Sequence, residues 1–325
     1  MKRLLGFAMP ICAAVMLVSA CGTTESTPDN PAGASGGPVT VTDSRGKAVQ
    51  LKSPGRKVVS LEWGETEMLI TLGVMPVGAA DIKGYGTWVT AAKLDASVKD
   101  VGTRSEPSVD SIVALQPDLV VMEAERDSAL VGQLERFVPV IVTKGSDATR
   151  NLDRMREDFT MIATAVGKAE VAKKVLADFD TALAAGKQKI AAAGGAGKQF
   201  TMADGWKEGS TISVRMFGEG ALVSQTAIQL GLKNAWTGKV DEVWGLGNTD
   251  VEGLSPLKTT DLHFFYNASD GDDVFAGGLA GNPIWESLSF VQRKQLHKMP
   301  NGIWTFGGPL SCRQFMDEIV KVYTA

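Results

Sequence analysis

KAEVAKKVLADFDTALAAGKQKIAAA, residues 168–193, decides the architecture of this chain. Val171, Val175, Phe179, Leu183 and Ile190 recur there at helical spacing, and no proline interrupts the run. A helix of that length extends about 39 Å at 1.5 Å per residue, long enough to bridge two lobes. Just before it, Leu152, Met155, Phe159, Ile162 and Val166 follow a 3-4-3-4 spacing. That is one apolar stripe of an amphipathic helix, with Gly167 as its C-cap. The Ala/Gly string 191–197 ends the long helix.

Outward from this pair the pattern is α/β on both sides. Toward the N-terminus, 39–41 and 48–51 flank Asp43-Ser44-Arg45-Gly46 as a hairpin. The run 58–61 reads as a buried strand. Glu65, Met68, Leu69 and Leu72 then have helical spacing, closed by Gly73. Strands at 76–80, 117–122 and 138–142 alternate with helices at 110–115 and 130–137. Short strand–helix–strand units of this kind predict a parallel sheet with helices packed on it. Toward the C-terminus, 199–202, 211–214, 262–265 and 302–306 read as strands. Helices are expected at 221–230 and 312–323, with short segments at 284–287 and 292–297. The predicted organisation is a leader 1–21, a tether 22–38, an α/β lobe 39–167, the interlobe helix 168–193 and a second α/β lobe 194–325.

Composition narrows the function. The chain has 325 residues, 22% charged and 44% apolar, the profile of a folded globular protein of about two domains. Its net charge is −4, or −6 once Lys2 and Arg3 are set aside with the leader. A mildly acidic surface gives no electrostatic reason to bind nucleic acid or anionic lipid. Residues 1–21 read MKRLLGFAMPICAAVMLVSAC: a basic start, an apolar run too short to span a bilayer comfortably, then small residues before Cys21. Val18-Ser19-Ala20-Cys21 resembles a bacterial lipobox, so Cys21 is the expected lipidation site; an ordinary secretory signal is the alternative. Residues 23–38, rich in Thr, Ser, Pro and Gly, read as a flexible tether. With Cys12 and Cys21 in the leader, Cys312 is left alone, which excludes an internal disulfide. Two histidines, His263 and His297, with no HExxH or CxxC motif, make a zinc enzyme a poor fit.

A cleft between lobes is the default ligand site. Of the seven tryptophans, Trp88, Trp244 and Trp304 stand in Gly- or Pro-flanked stretches read as loops and are the strongest candidates for it. Trp63 follows the first strand, and Trp236 is assigned to packing. Arg104, in the turn 101–107, can point its fork of donors at ligand oxygens without a buried carboxylate. Arg215 occupies a comparable strand end in the second lobe, with a surface ion pair as the alternative.

The run 59–81, VSLEWGETEMLITLGVMPVGAAD, resembles the first lobe of ferric hydroxamate (ferrichrome-type) siderophore-binding proteins, the substrate-binding subunits of iron-siderophore ABC importers. Similar stretches continue at 85–88, 101–113 and 116–121. They return at Phe217-Gly218, 234–238, Trp244-Gly245, 283–285 and 304–311. The resemblance implies a two-lobed periplasmic-binding-protein fold of the helical-backbone class. It implies a bowl lined by Trp63, Tyr85, Trp88, Trp244, Tyr266, Trp304 and Phe306, with Arg104 donating to the oxygens around iron and Arg126 and Arg215 as further ligand residues. A siderophore already fills the iron's coordination positions, so no protein metal ligand and no intrinsic cofactor is expected. Arg126, where the family places an aromatic, favours a more anionic or more polar cargo, and Phe306 stands where a tyrosine is expected. The resemblance also implies that Asp110 and Glu252, one from each lobe, dock on arginine pockets of the permease. Acids at helix starts also serve as caps.

The expected product is a monomeric lipoprotein, held to the cell membrane through lipidated Cys21, that captures a ferric siderophore and delivers it to a permease. Cobalamin or haem capture on the same scaffold is the nearest alternative. Haem would want an axial ligand such as His263 or Tyr266. A secreted enzyme is the alternative of a different class. It lacks a Walker motif, a dinucleotide motif and a Gly-x-Ser-x-Gly elbow.

Overall fold

The computed structural model describes residues 36–124, 128–209, 211–269 and 271–325. The expected leader with Cys21, residues 22–35 of the tether, and Arg126 lie outside the described residues.

The chain opens on an antiparallel hairpin of β1 (Val39–Thr42) and β2 (Ala48–Leu51). Its turn closes at Gly46 in the left-handed region, φ +75°. Then follow β3 (Val58–Ser60), α1 (Trp63–Thr71), β4 (Gly78–Ala79), α2 (Ile82–Trp88) and β5 (Lys99–Asp100). After them come α3 (Val109–Ala114), β6 (Leu119–Glu123), α4 (Ser128–Leu134) and β7 (Val140–Thr143). Strands β3 to β7 form one all-parallel sheet in the order β5-β4-β3-β6-β7. All five residues of β6 and all four of β7 are buried, as strands covered on both faces must be.

Helix α5 (Asn151–Ala165) stops at Gly167, φ +68°, where Lys168 N donates back to Ala163 O at 2.7 Å. The next helix, α6 (Ala169–Ala192), is the long one. Its buried stripe is Ala172, Phe179, Leu183, Gly186 and Ile190. Val171, expected on that stripe, is 39% exposed: at 3.6 residues per turn it is Ala172, seven residues before Phe179, that shares the face of Phe179. A Cβ at Gly186 would lie 2.8 Å from Leu230 and 3.0 Å from Val320, so glycine lets two neighbouring segments approach α6 closely.

The second sheet is mixed. It is built from β8 (Gln199–Glu208), β9 (Thr211–Phe217), β10 (Lys233–Asn234), β11 (Leu246–Thr249), β12 (Leu262–Asn267) and β13 (Leu296–Lys298). Helix α7 (Leu222–Gln229) precedes β10. Short helices α8 (Pro283–Glu286) and α9 (Ser289–Gln292) precede β13, and α10 (Pro309–Tyr323) ends the chain. The order is β11-β9-β8-β12-β13, with β10 also on β8. Strands β8 and β9 form an antiparallel hairpin that runs on past the end of β12. Both strands are longer than expected: β8 runs on from 202 to its outer end at Glu208, and β9 runs on from 214 to its inner end at Phe217.

Two sequence expectations fail here. Residues 302–306 are not a strand. Gly302 turns at φ +83°, and the β-prone residues after it meet side chains rather than a neighbouring strand. Residues 85–88 are not a loop. They close α2, which Asp81 caps by accepting from Gly84 N at 3.0 Å.

One apolar core joins both halves. Leu69 and Val121 from the first sheet region, Phe159 and Phe179 from α5 and α6, Phe200 and Phe217 from the second sheet, and Phe315 from α10 belong to the same cluster. Within it, Glu67 of α1 is fully buried and accepts from Leu310 N (3.1 Å), Ser311 N (2.9 Å) and Ser311 Oγ (2.5 Å) at the start of α10. Among the described residues no helix is long and apolar enough to cross a membrane.

Candidate functional site

The carboxyl ends of the first sheet's strands open toward the second lobe, as parallel sheets present their ligand sites. A cavity of about 460 Å³ lies there. Glu62 follows β3, Glu123 ends β6, and Gly145 and Ser146 follow β7; all line it. The far side is supplied by Asp204 of β8, Arg215 of β9, Trp244, Leu246 of β11, and the segment Trp304–Gly307. Hydrogen bonds tie the lobes on either side. Ser146 Oγ donates to Val243 O at 2.8 Å and Asn151 Nδ2 to Gly220 O at 3.1 Å; opposite them Thr90 Oγ1 donates to Gly302 O at 2.9 Å.

The aromatic wall is continuous. Trp63 meets Trp304 edge-on at 4.9 Å, Trp88 meets Trp304 at 6.0 Å, Trp304 meets Phe306 at 5.1 Å, and Trp244 meets Phe306 at 5.4 Å. Trp304 is 9% exposed, and its Nε1 is buried without an acceptor.

Both cleft arginines are already held. Arg104 Nη2 stands 2.6 Å from Glu62 Oε1, and its guanidinium lies 4.1 Å above the Trp63 ring. The expectation that it needs no buried carboxylate is therefore overturned, since Glu62 is 4% exposed. Arg215 grips Asp204 with two bonds, Nε to Oδ1 at 2.8 Å and Nη2 to Oδ2 at 2.5 Å. Its guanidinium sits 5.5 Å from the Phe306 ring and 5.8 Å from Trp206. This is an ion pair, as the alternative reading had it, but one that faces the cavity.

The remaining site expectations divide. The structure brings Trp63, Trp88, Arg104, Arg215, Trp244, Trp304 and Phe306 together on one cavity. Tyr85 lies behind it, 1% exposed, its hydroxyl donating to Ala92 O at 2.6 Å. Tyr266 is buried in the second lobe and donates to Asp273 at 2.9 Å. His263 Nδ1 lies 2.8 Å from His297 Nε2 where β12 pairs with β13, and neither lines the cavity. Trp236 is half-buried against the second lobe's core. Asp110 and Glu252 are exposed in the first turns of α3 and of a 3₁₀ helix, Glu252–Leu257.

Sequence reasoning missed the acids. Glu62, Glu65, Glu123, Asp158 and Asp204 all line the cavity. Asp158 is 2% exposed and accepts from Lys144 N, Gly145 N and Arg154 Nη2. Glu123 approaches Gly145 so closely that a Cβ there would lie 2.3 Å from its Oε1. Gly145 also turns at φ +76°, so only glycine fits. Glu65 is 3% exposed; Thr143 Oγ1 donates to its Oε1 at 2.5 Å, while Oε2 has no hydrogen-bond partner. Burial, and next the charge on Glu62, push the Glu65 carboxyl up to about 7. The signal was available. Asp158 falls three residues after Met155 on the apolar stripe, and Glu123 closes an otherwise apolar strand. Among the described residues no group of three or more His, Cys, Asp or Glu side chains is placed to hold a metal ion.

A profile of the family described as periplasmic binding protein matches residues 58–302. The iron(3+)-hydroxamate-binding protein FhuD of Escherichia coli is 27% identical over 265 residues, covering 80% of this chain and 84% of that protein. A probable siderophore-binding lipoprotein of Bacillus subtilis, YfiY, is 25% identical over 341 residues, covering 99% and 98%. The crystal structure of FhuD from Vibrio cholerae bound to Fe3+–Desferal superposes with a TM-score of 0.71 at 24% identity, covering 83% of this chain and 98% of that one. That likeness is one of fold.

Proposed function

We propose, for a chain that belongs to the periplasmic binding protein family, that the cavity takes a ferric siderophore of the hydroxamate type and that the protein hands it to an ABC permease. The observation that carries this reading is the charge of the wall. Among the described residues, five carboxylates and two arginines line it, and both arginines are paired with acids. Three hydroxamates cancel the charge of one ferric ion, so that core is neutral. Three catecholates leave it strongly anionic, and hydroxycarboxylate complexes are anionic too. An anionic complex would enter a low-dielectric cleft already lined with negative charge, which costs more than it returns. A neutral core asks only for flat apolar faces and a few donors. Trp63, Trp88, Trp244 and Trp304 supply the faces; the fork of Arg104 supplies the donors. The relatives' names, which speak of iron–hydroxamate and siderophore binding, support the same reading.

The extracytoplasmic location, the lipid anchor at Cys21, the monomeric state and docking through Asp110 and Glu252 belong to this proposal. Haem capture is disfavoured because His263 and Tyr266, the expected axial ligands, do not line the cavity. Four cavity tryptophans make intrinsic fluorescence the natural readout. Titration with ferric hydroxamate, ferric catecholate, ferric citrate, haem and cobalamin should give saturable quenching by the hydroxamate at the lowest concentration. Tighter quenching by an anionic complex or by a tetrapyrrole overturns the proposal.

A further inference from the structure

Of the seven tryptophans, four line the cavity, Trp236 and Trp285 pack into the second lobe's core, and Trp206 does neither. It stands on β8, 41% exposed. A solitary exposed ring needs no account; the position of this one does. Strand alternation puts Trp206 on the face of Asp204, two residues and about 7 Å farther out. Its partner across the hairpin is Ser213, two residues before Arg215 on β9. The Arg215 guanidinium, which lines the cavity, lies 5.8 Å from the Trp206 ring and 5.5 Å from Phe306. The wall that runs from Trp63 through Trp304 to Phe306 thus continues through Arg215 to Trp206. The other face of the hairpin is braced. A Cβ at Gly205 would lie 3.0 Å from Phe275 and 3.1 Å from Val274, and one at Gly278 would lie 2.7 Å from Ile212. The indole is therefore carried on a fixed strand while much of it stays wet.

We infer that Trp206 is a cargo contact outside the cavity: the iron core seats among the four cavity tryptophans, and the amide chain that links the hydroxamates lies across Trp206 and the edge of Arg215. This rests on the hydroxamate reading of the same cleft and extends recognition from the core to its linking chain. An amide is flat, so it stacks on an indole, and its carbonyl accepts from a guanidinium. Arg215 has donors to give, since two of its five N–H groups bond Asp204 and its side chain is a third exposed. Covering Trp206 takes a large apolar face out of water without ordering the strand that carries it. A bare core, with no chain around it, does not reach Trp206.

The test uses two probes with the same iron core: the ferric complex of desferrioxamine B, whose three hydroxamates are joined by an amide-containing chain, and ferric tris(acetohydroxamate), which has no chain and is kept intact by excess acetohydroxamic acid. Trp206→Ala should weaken the linked complex about tenfold, the scale of one aromatic stacking contact, and change the bare core less than about twofold. Trp206→Phe, which keeps a flat face, should recover most of that loss. Circular dichroism of the variants checks that the hairpin is intact. Wild-type affinity of Trp206→Ala for the linked complex overturns the inference and leaves the hydroxamate reading standing. Equal losses for both probes mean that Trp206 acts by holding Arg215 against the core, which overturns the contact with the chain. If neither probe binds the wild type while ferric citrate or a ferric catecholate does, the hydroxamate reading fails and this inference falls with it.

Discussion

Replacing Glu67 with alanine should unfold this protein more easily than any single change in the cavity. The side chain is fully buried, and three donors at the start of α10 end on its two oxygens: Leu310 N, Ser311 N and Ser311 Oγ. Alanine leaves all three without an acceptor, and each unsatisfied buried group costs about 1–3 kcal/mol. Loss of a negative charge at a helix N-terminus adds about 0.3–1 kcal/mol. Against this, burial pushes the Glu67 carboxyl upward, so removing it also removes a desolvation cost. The balance is a loss of about 3–5 kcal/mol, at the far end of single-residue effects. For a protein of this size that corresponds to a midpoint about 10 °C lower. Urea unfolding followed by circular dichroism, with calorimetry for the midpoint, measures both. Glu67→Gln retains one acceptor oxygen and should lose less than half as much. A loss below about 1 kcal/mol for the alanine variant would refute the claim that this carboxylate ties the two halves together.

Other consequences can be measured on the same protein. Trp88→Ala and Arg104→Lys should each weaken binding of a ferric hydroxamate about tenfold or more while the fold survives; wild-type affinity in both would remove them from the site. Because Glu65 holds its proton up to about 7 in the folded chain and releases it near 4.5 when unfolded, unfolding should become easier as pH rises between those values. Glu65→Gln should flatten that slope, and an unchanged pH profile would refute the burial argument. An Asp110→Ala, Glu252→Ala double variant should bind cargo normally yet fail in uptake by cells; normal uptake excludes these acids from docking. Small-angle scattering with and without ligand should show little compaction, since one core and several hydrogen bonds join the lobes.

Much of this was legible from residue order alone, and the failures share a cause. The stripe from Leu152 to Val166 and the run 168–193 announce α5 and α6 because burial on one face imposes a period that survives in the sequence. Trp63, Trp88, Trp244, Trp304 and Arg104 could be picked out because large aromatics and arginines in turns are conspicuous. The acids were less plain: Asp158 and Glu123 are marked only by their place in apolar patterns, and Glu65 looks like an ordinary polar member of a helix until the tertiary fold turns that position inward. Nor could residues 302–306 be placed, because Ile303, Trp304 and Phe306 have strand propensity and only the turn at Gly302 and the absence of a pairing strand decide otherwise. The outer half of β8 stayed hidden because its partner is β9 rather than the core.

That hairpin has a consequence for how the protein can change over generations. On one side it presents Asp204, Trp206, Ser213 and Arg215; on the other, Ala203, Val214 and Met216 plug into the second lobe's interior. Substitutions on the first side alter what a visitor meets without touching the plug that keeps the lobe folded. A duplicated copy of the gene could thus acquire a new appetite through a handful of exchanges at alternate positions. Chemistry and scaffold are inherited on the same two strands yet free to mutate apart.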